Sequence, residues 1–152
     1  MLTLQSFTYY QRAMITLPTR SGGLGLTSAY DVMIQAYIAS HGATIRQLKK
    51  TEWPESSRIA QVLLGKSSIV DATDQFNTMI RETEHDIKFK LIDHARPDIW
   101  PTQSVLSAAK FQIQSAELER EMAESHPKLA GWFASMNRRG AGSFLRVIPS
   151  RY

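Results

Sequence analysis

The stretch Leu17–Ser40, LPTRSGGLGLTSAYDVMIQAYIAS, combines a proline, three closely spaced glycines and an apolar pattern of helical spacing. Glycines at this density allow the backbone to turn sharply or to approach another group closely. The residues that follow predict the start of a helix. Thr27 or Ser28 can act as the N-cap, and Asp31 would place a negative charge in the first turn.

A phosphate-binding loop is the functional alternative for the glycine-rich stretch. Such loops place Lys-Ser or Lys-Thr after the last glycine, or space their glycines as GxGxxG, and neither pattern is present. We therefore expect a tight structural turn with Leu24 and Leu26 inserted into the core. Arg20, beside this turn, is either an ordinary solvated surface residue or a contact to a backbone phosphate.

Apolar residues recur at three-to-four spacing along most of the chain, which predicts helices almost everywhere. Thr102 is expected to cap one helix and Pro127 to start the last one, whereas Gly42 is expected to break or kink its helix. Neither a sustained strand-like alternation nor an internal repeat is found. The predicted helices cover residues 2–16, 30–48, 55–64, 68–95, 103–122 and 127–136.

These patterns predict an all-α fold, an irregular bundle of about five to seven helices with a Gly-rich turn near the N-terminus. A length of 152 residues fits one helical domain over residues 1–152, or a fragment of a larger polyprotein. No apolar run approaches the roughly 20 residues that span a bilayer, so we expect no membrane partner. The absence of cysteine excludes disulfides and fits an intracellular location, cytoplasmic or nuclear.

Charge is distributed unevenly along the chain. Residues 1–50 carry five Lys or Arg and one acid, and residues 51–125 carry eight Lys or Arg against thirteen acids. Residues 126–152 carry five basic residues and no acid. Basic ends that flank an acidic middle indicate either intramolecular pairing, an ordinary solvated surface, or a basic surface that meets phosphate.

Two blocks of sequence resemble a known family. The first is LP-x-R-x-GGLGL-x-SA followed by AY-x-AS, within Leu17–Ser40, and the second is GAGSFLRVIPS, Gly140–Ser150. Together they resemble the region just after the polymerase palm in reverse transcriptases of non-LTR retrotransposons, whose second block is usually GAWL-x-x-IPS. This chain departs from that block at Ser143 and Phe144, where the family often has Ala-Trp. The resemblance implies a fragment that lies downstream of a catalytic domain.

The catalytic signature of such a polymerase is missing. A palm holds two metal ions on an aromatic-x-Asp-Asp turn and a further Asp, and this sequence contains no adjacent Asp pair. Asp71 and Asp74 form the nearest acidic cluster, and they lie in a helical pattern. Glu82 and His85 have the spacing of a di-iron helix motif, but a di-iron site needs a second copy of it. We therefore predict neither catalysis nor a cofactor or metal.

The best candidate for a functional surface is the basic C-terminal region. Basic side chains bind phosphate, and aromatic side chains such as Trp132 and Phe133 stack on bases when they are exposed, although both fit a core stripe equally well. We predict a non-catalytic helical fragment that contacts RNA or DNA. The predicted nucleic-acid-binding residues are Arg20, Arg138, Arg139 and Arg146.

Two other classes of function stay open at this stage. An apolar helix face left uncovered would suit a protein-interaction module, which binds either an absent polymerase domain or a second copy of itself. Tyr9, Tyr10 and Met14 are the first residues expected on such a face. The other possibility is a gene remnant with no selected activity.

Overall fold

The computed structural model describes residues 9–83 and 87–136, and the side chain of Arg20 is not part of that description. Every regular element in this part of the chain is helical, so the predicted all-α fold is confirmed. None of the described helices is both long and apolar enough to cross a membrane. The α-helices are α1 (Tyr9–Thr16), α2 (Ala29–Lys50), α3 (Ser56–Leu64), α4 (Ser67–Glu82), α5 (Gln103–Ser125) and α6 (Pro127–Met136). Two short 3-10 helices cover Thr19–Ser21 and Pro97–Ile99.

The chain divides into two compact units. The terminal unit consists of Met1–Ser28 and Phe111–Tyr152, and the central unit consists of Ala29–Lys110. In the central unit, α2 packs against α3, α4 and the 3-10 helix Pro97–Ile99. Helix α5 contributes its first turns to the central unit and the remainder to the terminal unit.

The glycine-rich stretch of the terminal unit caps the C-terminal end of α1. The amides of Leu24, Gly25 and Leu26 donate to the carbonyls of Met14, Leu17 and Ile15, at 2.9, 2.8 and 3.0 Å. The Thr27 hydroxyl adds a bond of 2.9 Å to the Thr16 carbonyl. The last carbonyls of a helix have no partner within the helix, so this stretch supplies the partners that α1 lacks.

Close approach explains why glycines stand in this cap. Gly22 and Gly25 have φ of 79° and 77°, in the left-handed region that other residues rarely adopt. A Cβ atom on Gly23 would lie 2.0 Å from the Leu17 carbonyl oxygen. The tight turn is as expected, but the expectation that Leu24 and Leu26 enter the core is wrong. Their side chains are 61% and 67% exposed, because the backbone of the stretch faces α1 while these side chains point away.

Helix α2 runs without a break through Gly42, contrary to expectation. Gly42 is buried, and a Cβ there would lie 3.1 Å from the Trp100 Cβ and 3.3 Å from its ring. The missing side chain therefore lets α2 pack closely against Trp100, which is 3% exposed. Arg46, one turn further along α2, donates to the Trp100 carbonyl at 3.0 Å.

Helix α4 ends at Glu82, well short of the predicted boundary near residue 95. Residues 87–93 form no regular element, and Lys88 and Lys90 are exposed between half-buried apolar neighbours. The buried Asn77 of α4 fixes this segment through two bonds to Ile92, one from the Asn77 amide to the Ile92 carbonyl at 2.9 Å and one from the Ile92 amide to Asn77 Oδ1 at 2.8 Å. Phe89 also packs edge-on against Phe76, with ring centroids 5.6 Å apart. The prediction failed because the apolar side chains of this segment pack against α4 from outside the helix.

The predicted starts of the last two helices are confirmed. Helix α5 begins at Gln103, and the Thr102 carbonyl accepts the amides of Val105 and Leu106 at 3.1 Å. Helix α6 begins at Pro127, where the missing amide costs no hydrogen bond because it would be unpaired at this position in any residue.

The cap on α1 predicts opposite effects of alanine at two glycines. Gly23→Ala should lower the free energy of unfolding by about 1–3 kcal/mol or more, since the new methyl group collides with backbone. Gly131→Ala in α6 should raise it by up to about 1 kcal/mol, because a Cβ there meets nothing within 4 Å and alanine favours a helix. Urea denaturation followed by circular dichroism measures both. Equal effects of the two changes would contradict this account of the cap.

The Asn77–Ile92 pair predicts that Asn77→Ala lowers the free energy of unfolding by about 2–4 kcal/mol, because it leaves two buried backbone groups without a partner. Gln75→Ala, at an exposed position of the same helix, is the matched control and should change stability by less than about 0.5 kcal/mol. Thermal and urea denaturation of both variants test this. A loss at Asn77 no larger than that at Gln75 would show that the pair is dispensable.

Candidate nucleic-acid interface

Most of the predicted nucleic-acid-binding residues fall outside the described part of the chain. Arg138, Arg139 and Arg146 lie beyond residue 136. Arg20 lies in the 3-10 helix Thr19–Ser21, and its side chain is not described. The geometry of the candidate interface therefore rests on α6, which leads directly into Arg138 and Arg139.

Helix α6 follows α5 after a single residue. The His126 amide donates to the Met122 carbonyl at 2.7 Å and so completes α5. The His126 carbonyl accepts the amides of Leu129 and Ala130 at 2.9 and 3.0 Å and so begins α6. One residue thus terminates one helix and starts the next, which fixes the direction in which α6 leaves α5.

A polar cluster holds this junction to α1 within the terminal unit. The Tyr10 hydroxyl and Ser125 Oγ are 2.7 Å apart, and the Tyr10 ring packs edge-on against the His126 ring with centroids 5.3 Å apart. Ser125 Oγ also lies 3.0 Å from His126 Nδ1 and donates to the Glu121 carbonyl at 2.7 Å. These contacts position the first turn of α6 with side chains from two other helices.

The two faces of α6 differ sharply. Ala130 and Phe133 are buried, with 7% and 0% of their surface exposed, and they anchor the helix. Lys128 and Trp132 lie one turn apart on the opposite face, where Trp132 is 51% exposed. The two aromatic residues singled out from sequence therefore divide, Phe133 to the core and Trp132 to the surface.

The electrostatic character changes from α5 to α6. The second half of α5 carries four glutamates and one arginine, whereas α6 carries Lys128 and no acid. The acidic second half of α5 affects Tyr9. Burial raises the pKa of the Tyr9 phenol, and the carboxylates of Glu121 and Glu117 raise this pKa further. The second half of α5 is thus acidic, whereas the sequence from residue 126 onward contains no acid, and this charge pattern suits either intramolecular pairing or phosphate binding.

The glycine-rich stretch cannot act as a phosphate cradle in this conformation. A cradle needs free backbone amides that converge on an anion. Here the amides of residues 21–26 all donate to carbonyls of residues 14–19. Phosphate contact at this stretch would therefore have to come from side chains, of which Arg20 is the predicted one.

The other chemical candidates do not assemble into a site within the described residues. Asp71 and Asp74 are exposed on α4. Glu82 ends α4, and its predicted companion His85 lies outside the described residues. Across residues 9–83 and 87–136, no three histidine, cysteine or acidic side chains come together as metal ligands.

Comparison of the chain with protein-family models, curated proteins and solved structures finds no match. The similarity of the two sequence blocks to the retrotransposon enzymes therefore stays a prediction that rests on those residues.

Proposed function

We propose that this chain is a non-catalytic helical domain that contacts the backbone of RNA or DNA through Arg20, Arg138, Arg139 and Arg146. It would correspond to the region downstream of the palm in a non-LTR retrotransposon reverse transcriptase. The observation that carries the proposal is the outward face of α6. This face presents Trp132 and Lys128 to solvent, and Arg138 and Arg139 follow α6 closely in the sequence.

Charge supports a phosphate-bearing partner. Residues 126–152 contain five basic residues and no acid, so no acidic side chain within that segment offsets them. Each phosphate that a cation neutralises releases condensed counterions, which makes the affinity fall steeply as salt rises. Binding of this kind needs exposed cations but no shaped pocket.

The residues also favour a role without catalysis. A palm turn would present adjacent aspartates, which this sequence lacks, and the nearest acidic pair, Asp71 and Asp74, lies on the surface of helix α4. The amides of residues 21–26 already donate to carbonyls of residues 14–19 and so are not available to an anion. Both features suit a structural support whose nucleic-acid contacts come from side chains.

This function predicts that the chain binds labelled RNA or DNA with an affinity that falls steeply between low and moderate salt. Replacing Arg138 and Arg139 together by Ala should weaken binding and reduce the slope of log affinity against log salt by about two, since each lost phosphate contact lowers it by about one. Fluorescence anisotropy across a salt series measures both quantities.

The matched control is the Lys49→Ala/Lys50→Ala double variant. It removes two adjacent exposed cations at the end of α2 and should leave the salt slope unchanged. No binding at low salt would reject the proposal. If the two arginines instead pair with the α5 glutamates, their replacement would lower the melting temperature and leave the affinity unchanged.

A second candidate function, a helical protein-interaction module, has one observation in its favour. The first half of α2 presents an open apolar face that includes Tyr30, Met33 and Tyr37, with Tyr30 82% and Met33 55% exposed. The expected face at the start of the chain is represented by Tyr9, which is 64% exposed, whereas Tyr10 and Met14 are half-buried. Apolar surface left in water at α2 is available to a protein partner or to a second copy of the chain.

This second function predicts association that grows with protein concentration in the absence of nucleic acid. Met33→Glu should abolish the association, because it places a charge in the apolar face. Val62→Glu, at a comparably exposed position of α3, should have no effect. Sedimentation velocity over a concentration series measures the association of the unchanged chain and of both variants. A monomer at every concentration would argue against self-association.

A further inference from the structure

We infer that Trp132 is a stacking site for an unpaired base and that Lys128 contacts a neighbouring phosphate, so that the partner is a single-stranded nucleic acid. This inference deepens the proposed function and rests on it. It assigns to Trp132 the base contact for which the sequence offered both Trp132 and Phe133, in addition to the backbone contacts of the proposed function.

The geometry of α6 holds the indole ready for such contact. Phe133 and Ala130 anchor the opposite face in the core, so the helix does not need to reorganise to present Trp132. Lys128 precedes Trp132 by four residues, which places it one turn away on the same face at a rise of about 6 Å. The aromatic ring can stack on a base, and the cation beside it can bind the phosphate of that nucleotide.

The surroundings of Trp132 leave room for a planar group. The adjacent Gly131 has no side chain, and a Cβ built there meets no atom within 4 Å. The Ser135 hydroxyl donates to the Trp132 carbonyl at 2.6 Å, so this side chain is held against the backbone of α6. Among the side chains of the described residues, none has to be displaced for a base to approach the exposed part of Trp132.

The other two tryptophans show why Trp132 is singled out. Trp100 is 3% exposed, and its indole N–H donates to the Asp93 carbonyl at 2.7 Å, so it serves the core. Trp53 is as exposed as Trp132, at 54%, but it lies between Glu52 and Glu55. These carboxylates repel a phosphate backbone, whereas α6 and the residues after it carry no acid.

Stacking on an isolated side chain selects against duplex nucleic acid. Bases within a duplex already stack on their neighbours, so an indole on a helix surface has no free base face to meet. An unpaired base can rotate onto the indole, and every base has a suitable face. The predicted preference is therefore for single strands, with little dependence on sequence.

The test uses a Trp53→Phe background, in which Trp132 is the exposed tryptophan and Trp100 stays buried. Oligothymidylate, oligouridylate and a duplex DNA of equal length are titrated while tryptophan emission is recorded. Both single strands should quench the emission, and the duplex should not. The DNA and RNA strands differ in the 2′-hydroxyl and in the C5 methyl group of thymine, so equal quenching by both shows that neither group is required.

Affinity measurements on variants complete the test. Trp132→Ala should weaken single-strand binding by roughly 5- to 150-fold, the range typical of a lost base–aromatic stack, and leave duplex binding unchanged. Trp132→Phe should recover part of the loss, because a smaller ring still stacks. Lys128→Gln should reduce the salt slope by about one. Trp53→Ala is the matched control and should leave single-strand affinity unchanged.

The outcomes separate this inference from the proposed function. Salt-dependent binding that is equal for single strands and duplex, and indifferent to Trp132→Ala, overturns the stacking site but leaves backbone contact intact. Absence of binding to any nucleic acid at low salt overturns both. Quenching by single strands, together with a loss of single-strand affinity in Trp132→Ala, supports both.

Discussion

The structure depends on satisfying backbone groups where its helices stop. Helix α1 is short and ends inside the terminal unit, so its last carbonyls need donors from elsewhere, and the glycine-rich stretch supplies them. In the central unit, the Asn77 side chain forms hydrogen bonds with both the amide and the carbonyl of Ile92. Arg46 binds the carbonyl of Trp100. Each of these bonds fixes an irregular segment against a helix and completes a core that helices alone would leave open.

Hydrogen bonds to backbone groups at helix ends also fix the position of α6. His126 ends α5 with its amide and starts α6 with its carbonyl, while Tyr10 packs on its ring and binds Ser125. The first turn of α6 is therefore held from two sides. Phe133 then occupies the core, which leaves Trp132 facing solvent. The second half of α5 is acidic, whereas the sequence from residue 126 onward contains basic residues and no acid.

Sequence patterns predicted helices best where local chemistry marks their ends. Asp31 lies in the first turn of α2 and Pro127 begins α6, as expected, because capping and dipole effects act within a few residues. The pattern failed after Glu82. Residues 87–91 read Ile-Lys-Phe-Lys-Leu, a short period-two alternation whose apolar residues also fit the helical pattern predicted for residues 68–95. The paired bonds from Asn77 that hold this segment come from another part of the chain and leave no local signal.

The sequence alone determined the all-α class, most helix boundaries, the tight turn and the basic, acid-free end of the chain. These follow from propensity, capping and charge, which are local properties. Only the tertiary structure decided that Trp100 packs closely against Gly42 and that Leu24 and Leu26 face solvent. It also decided that Phe133 is buried whereas Trp132 is exposed. Burial depends on which helix faces meet. Apolar spacing leaves that choice open wherever an apolar residue fits a core and a surface equally well.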